Sequence, residues 1–94
     1  DGVEKNLREA VRLCRLSADQ NNPMGLNQLG WMAQRGVGIE KDLTEAFRLY
    51  QRSAELGFAN GQNNLGYVYE QGWGVTRDYQ KALHWYRQAA ALLG

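Results

Sequence analysis

Apolar and small residues recur along this chain with the spacing i, i+3, i+4, i+7. They fall at 43, 46, 47, 50, 53 and 54, again at 79, 82, 83, 86, 89 and 90, and a third time at 7, 10, 11, 14, 17 and 18. That spacing puts each set on one face of an α-helix. A start signal precedes each face, because the side chains of Asn6, Asp42 and Asp78 can accept from the orphan N–H groups of a first helical turn. Glu9 and Glu45, three residues later, fit a capping box, whereas Lys81 in the same slot does not. A second kind of helix is predicted over roughly 23–35 and 59–71, with Pro23 suited to the first helical position.

Shifted by 36 residues, the chain falls onto itself. Gly25 lands on Gly61, Asn27 on Asn63, Leu29 and Gly30 on Leu65 and Gly66, and Gly36 and Gly38 on Gly72 and Gly74. Asp42, Ala46, Tyr50, Ala54 and Leu56 land on Asp78, Ala82, Tyr86, Ala90 and Leu92. The opening residues Gly2, Asn6, Leu7, Ala10, Val11, Cys14 and Ala18 are a partial third copy. A period of this length holding two helical patterns predicts an all-α solenoid of about five helices. It divides residues 1–94 into a closing helix (1–21) and two units (22–57 and 58–94), read as a segment of a longer array.

The stretch GWGVTRD, residues 72–78, invites a phosphate-loop reading. A dinucleotide fingerprint needs a preceding strand and a third glycine, and a P-loop needs Gly-Lys-Ser/Thr. Here a helix precedes the loop and the loop occurs twice, so it reads as a turn. Gly36 and Gly72 close the first helix, Gly38 and Gly74 turn the chain with positive φ, and Ile39 or Val75 plugs the hairpin. Asp42 or Asp78 then starts the next helix. Gly30 and Gly66 sit inside helices, where glycine costs about 1 kcal/mol relative to alanine, so two backbones should approach closely there. Ala46 and Ala82 are the small partners this reading gives them.

The residues Gly61, Leu65-Gly66, Tyr69, Gly72, Gly74-Val75, Asp78, Lys81-Ala82, Trp85-Tyr86 and Ala89-Ala90 together resemble a Sel-1-like repeat, a relative of the tetratricopeptide repeats. The earlier unit departs from that pattern at Ala33, Glu45 and Leu49. The resemblance covers essentially the whole chain. It implies antiparallel helix pairs stacked into a right-handed superhelix whose first helices line a concave face. It also implies an adaptor or scaffold role without chemistry of its own.

Composition changes little in this picture. Among 94 residues the net charge is +1, which offers no excess for a polyanion, and no run approaches the roughly 20 apolar residues of a membrane span. One cysteine excludes an internal disulfide and a Cys-based metal cluster. The chain opens on Asp1, and its compartment is not readable from either end. His84 lies outside the apolar stripe with no nucleophile and orienting partner within a helical turn. Cys14 takes the core slot of Tyr50 and Tyr86 and reads as an inert thiol. The acidic run Glu40, Asp42 and Glu45 marks a helix start, not a metal site. No catalytic residue, cofactor or metal follows.

The concave face carries more information. With Leu29, Gly30, Ala33 and Leu65, Gly66, Tyr69 turned inward, the groove receives Asn27, Trp31, Gln34 and Arg35 from one unit and Asn63, Tyr67, Glu70 and Gln71 from the next. An Asn amide can pair with both the N–H and the C=O of a peptide backbone, so Asn27 and Asn63 suit a peptide; alternatively they hold the repeats in register. The leading function is a non-catalytic protein- or peptide-binding scaffold. The alternative is an architectural module that self-associates through uncapped ends. A nucleic-acid reader wants a basic groove, and Arg35 against Glu70 is close to neutral.

Overall fold

The computed structural model describes residues 2–93, which form five α-helices and, among the described residues, no strand. These are α1 (Gly2–Asp19), α2 (Pro23–Arg35), α3 (Leu43–Glu55), α4 (Ala59–Gln71) and α5 (Tyr79–Leu93). Each helix packs on its neighbours in the chain, and α2 also touches α4. The result is an elongated body of 43 × 24 × 19 Å, built by nearest-neighbour stacking.

The same contacts recur one repeat apart. Asp42 Oδ1 accepts from the Glu45 N–H and Asp78 Oδ1 from the Lys81 N–H, both at 3.0 Å. The N–H groups of Asp42 and Asp78 donate in turn to the carbonyls of Ala33 and Tyr69, at 2.8 and 2.9 Å. Those bonds tie each turn back onto the helix it leaves. They also explain why Glu45 completes no reciprocal capping box: the N–H it would take is already used, and its carboxylate meets Arg48 at 2.5 Å. Gly38 and Gly74 have φ of 77° and 72° and lie against the carbonyls of Leu7 and Leu43, the first residue of the preceding hairpin's apolar face. A Cβ on Gly38 would stand 3.0 Å from Leu7 O. The turn of each unit thus seats on the helix of the unit before it.

Two expectations are corrected. Asn6 caps nothing, because α1 begins at Gly2 and runs through it. Gly38 and Gly74 are pinned against a preceding helix, whereas a side chain on Gly2 would meet nothing within 4 Å. Helical propagation, one bond per residue, therefore continues back past Asn6, and Glu9 pairs with Arg12 at 2.7 Å. Gly30 and Gly66 make room not for alanines but for rings, since a Cβ there would stand 2.8 and 2.9 Å from Tyr50 and Tyr86. The alanines are buried nearby, and only the Ala82 carbonyl comes within 3.2 Å of the Gly66 position.

The core runs along the seam as two clusters. One joins Val11, Ala18, Leu26, Leu29, Met32 and Leu49; the other joins Ala33, Ala46, Tyr50, Ala54, Leu65, Val68, Tyr69 and Ala82. Among the described residues two buried polar side chains interrupt it, and one of them, Ser53, donates its hydroxyl to the Pro23 carbonyl at 2.8 Å. Gln62, in the slot of the fully buried Leu26, donates through Nε2 to the Ala54 carbonyl at 3.2 Å, and its Oε1 has no partner among the described residues.

Candidate binding surface along α2 and α4

Packing of Leu26, Leu29, Gly30, Met32 and Ala33 into the core leaves Asn27, Gln28, Trp31 and Arg35 as the outward stripe of α2. On α4 the outward residues are Asn63 and Tyr67, with Asn64, Glu70 and Gln71 half-buried. The two helices are linked across the repeat boundary by one side-chain bond, Asn64 Nδ2 donating to Asn27 Oδ1 at 2.8 Å. Asn63 is exposed and makes no side-chain hydrogen bond among the described residues.

Aromatic groups line this surface in pairs. Trp31 is 44% exposed, and the Arg35 guanidinium sits 5.2 Å from its ring centroid, a cation–π distance. Tyr67 is equally exposed and meets Trp73, from the α4–α5 turn, edge to face at 5.3 Å. Gln34 and Glu70 are each bonded to a tyrosine of the paired helix. The Tyr50 hydroxyl donates to Gln34 Oε1 and the Tyr86 hydroxyl to Glu70 Oε1, each at 2.7 Å. Burial raises both phenols above their ordinary pKa, and at Tyr86 the bond to the Glu70 carboxylate adds to it.

Two of the hollows that α2 lines hold residues of this surface. One, of about 370 Å³, is lined by Asn27, Gln28, Trp31, Met32 and Asn64. The other, of about 360 Å³, is lined by Gln34, Arg35, Lys41, Leu43 and Trp73. Together they bring Asn27, Trp31, Gln34 and Arg35 to one side of α2, while Asn63, Tyr67, Glu70 and Gln71 line neither.

The reactive side chains elsewhere are quiet. His84 is exposed, edge to face with Trp85 at 5.0 Å. Cys14 is half-buried, its Sγ 3.6 Å from Gln28 Oε1, and burial pushes the thiol pKa up, away from thiolate character. Among the described residues no group of three or more His, Cys, Asp or Glu side chains could hold a metal ion. No described helix is long and apolar enough to cross a membrane.

A profile of the Sel1 repeat matches residues 1–22, 23–58 and 59–92. The chain belongs to the Sel1 repeat family. It is similar to the crystal structure of a Sel1 repeat protein from Oxalobacter formigenes, with 30% identity and a TM-score of 0.85 over 87% of this chain. It is also similar to c5321, a protective antigen of uropathogenic Escherichia coli strains displaying an SLR fold, with 34% identity and a TM-score of 0.89 over 93% of this chain. The alignment covers 63% of the first of those chains and 19% of the second. No curated protein matches significantly. Sel1 repeats are generally protein-interaction scaffolds and typically non-catalytic.

Within the two Sel1 units, sequence reasoning missed Gln28, Lys41, Leu43, Asn64 and Trp73. One signal was present, because Gln28 and Asn64 occupy the same repeat slot and are both amides. Another was Trp73, a large ring standing in the turn where the earlier unit has Val37.

Proposed function

We propose that this Sel1 chain is a non-catalytic module that holds a peptide segment of another protein against the outward stripe of α2 and α4. The observation that carries this is the exposure of Trp31 in a hollow flanked by amides, with its neighbour Arg35 lining a second hollow that holds two cations. Exposed aromatic and Arg side chains are the residue types that dominate binding energy in interfaces. Residues 1–21, 22–57 and 58–94 then act as one closing helix and two units of a longer array.

A second reading has its own support. Tyr79 and Leu83 on α5 are 62% and 42% exposed and Ala90 is exposed. Val11, an equivalent of Leu83, and Ala18 and Ala54, the equivalents of Ala90, are 6% exposed or less, while Leu7 and Leu43, the equivalents of Tyr79, are half-buried. That face of α5 fits another hairpin of the same kind, in the same chain or in a second one.

One experiment separates the readings. Partner capture by the chain is compared with capture by Trp31→Ser, Tyr67→Ser and by Tyr79→Glu, Leu83→Glu, all with unchanged melting. Loss with the first pair alone supports the peptide surface, and loss with the second alone supports the end face. Capture that survives both pairs overturns both readings.

A further inference from the structure

We infer that the bound segment is an extended peptide with an acidic side chain in the hollow of Arg35 and Lys41 and an apolar side chain three or four residues away in the hollow of Asn27 and Trp31. This rests on the peptide-binding reading above.

Two cations line the first hollow, and neither makes an ion pair with a carboxylate among the described residues. The nearby carboxylates are turned to other work. Glu40 lines a different hollow beside α1 with Glu4 and Arg8, Asp42 caps α3, and Glu70 receives the Tyr86 hydroxyl. Arg35 also lies over the Trp31 ring, its guanidinium carbon 5.2 Å from the centroid, and a guanidinium offers several N–H donors to a carboxylate. Leu43 and Trp73 complete the wall with apolar surface. Cations backed by apolar surface match a carboxylate on a methylene stem.

The second hollow is apolar at Trp31 and Met32 and carries amides at Asn27, Gln28 and Asn64, which suits an apolar side chain flanked by peptide backbone. From Gln28 to Arg35 the helix rises roughly 10 Å. Residues i and i+3 of a polyproline-type segment share a face about 9 Å apart. In a β-strand, residues i and i+4 share a face about 13 Å apart. Those two spacings lie on either side of that rise, and the proposed interval is taken from it.

The test uses the ¹⁵N-labelled chain and synthetic octapeptides of Ser and Ala carrying one Leu and one Glu, at intervals of one, three, four or six. The indole N–H resonances of Trp31 and Trp73 report the surface, and that of Trp85 on α5 is the internal control. Intervals of three or four should shift Trp31 and Trp73 and leave Trp85 still. Replacing the peptide Glu by Gln should weaken binding about three- to tenfold, as two partly exposed ion pairs allow. Added salt should narrow that difference. The Arg35→Gln, Lys41→Gln variant should bind Glu and Gln peptides alike, while Arg15→Gln on α1 should keep the preference. If the double variant does not fold, the Glu-to-Gln comparison on the unaltered chain decides alone. Equal binding of Glu and Gln peptides there overturns the acidic site and leaves the peptide surface standing. Silence of both indoles toward every peptide overturns both. A uridine hexanucleotide that binds more tightly than the Glu peptide and displaces it overturns the acidic-peptide assignment in favour of phosphate.

Discussion

The ring of Tyr50 fills the space that a side chain on Gly30 would need, with Cε1 2.8 Å from the position of a Cβ built there. Tyr50 is fully buried and its hydroxyl is committed to Gln34, so it has nowhere to go. Gly30→Ala should therefore destabilise by about 1–2 kcal/mol, overpacking exceeding the helix-propensity gain. Gly66→Ala faces Tyr86, which is only half-buried and can yield, and should cost less. Thermal melts of the two variants rank them, and a larger fall for Gly66→Ala contradicts this account.

The bond between Asn27 and Asn64 predicts an asymmetry between two residues that the repeat makes equivalent. Asn27→Ala leaves the half-buried Asn64 amide without its acceptor and should cost about 1 kcal/mol. Asn63→Ala removes an exposed side chain and should stay within about 0.5 kcal/mol of the parent. A double-mutant cycle should show coupling between positions 27 and 64 and none between 27 and 63.

Gln62 offers a gain. Its Oε1 is buried without a partner among the described residues, while Leu26 fills the same slot one repeat earlier with no exposure. Gln62→Leu should raise stability by about 1 kcal/mol, since the unpaired oxygen costs more than the single bond to Ala54 contributes. Denaturant unfolding measures it, and a lower midpoint with unchanged slope refutes it.

Tyr50 sets an alkaline limit. Burial raises its pKa in the folded state above the ordinary 10.0, so the fold holds the neutral phenol. The contribution is complete below about pH 10 and declines above it, because the unfolded chain ionises first, with a limiting slope of about 1.4 kcal/mol per pH unit. Subtracting the stability curve of Tyr50→Phe from that of the parent isolates this slope. A difference that stays flat from pH 9 to 11 would show the phenol to be unperturbed.

Periodicity made the helices legible. The spacing of apolar residues and the glycine pairs placed the helices at 23–35 and 59–71, where α2 and α4 lie. What sequence alone could not show was context. Asn6 carries the same signal as Asp42 and Asp78, yet it lies inside α1, and the two Asp caps form where a turn with Gly38 or Gly74 is pinned on the preceding helix. Asn27 and Asn63 are identical in pattern, but Asn27 has α4 beside it to supply Asn64, and among the described residues no helix follows α5 to do the same for Asn63. Gln34 and Glu70 were placed in the groove by spacing, but spacing did not show that each also accepts from a tyrosine hydroxyl sixteen residues later.

Seating each turn on the helix of the unit before it also gives the molecule a mechanical grain. Gly38 rests on Leu7 and Gly74 on Leu43, so the seams lie between hairpins, with little to bridge more than one of them. A pull on the two ends would act on those seams in series. Each hairpin peeled away would release up to roughly 120 Å of contour from a 36-residue unit. Under tension the chain would lengthen in discrete steps of similar size, with the hairpins not yet peeled keeping their internal packing.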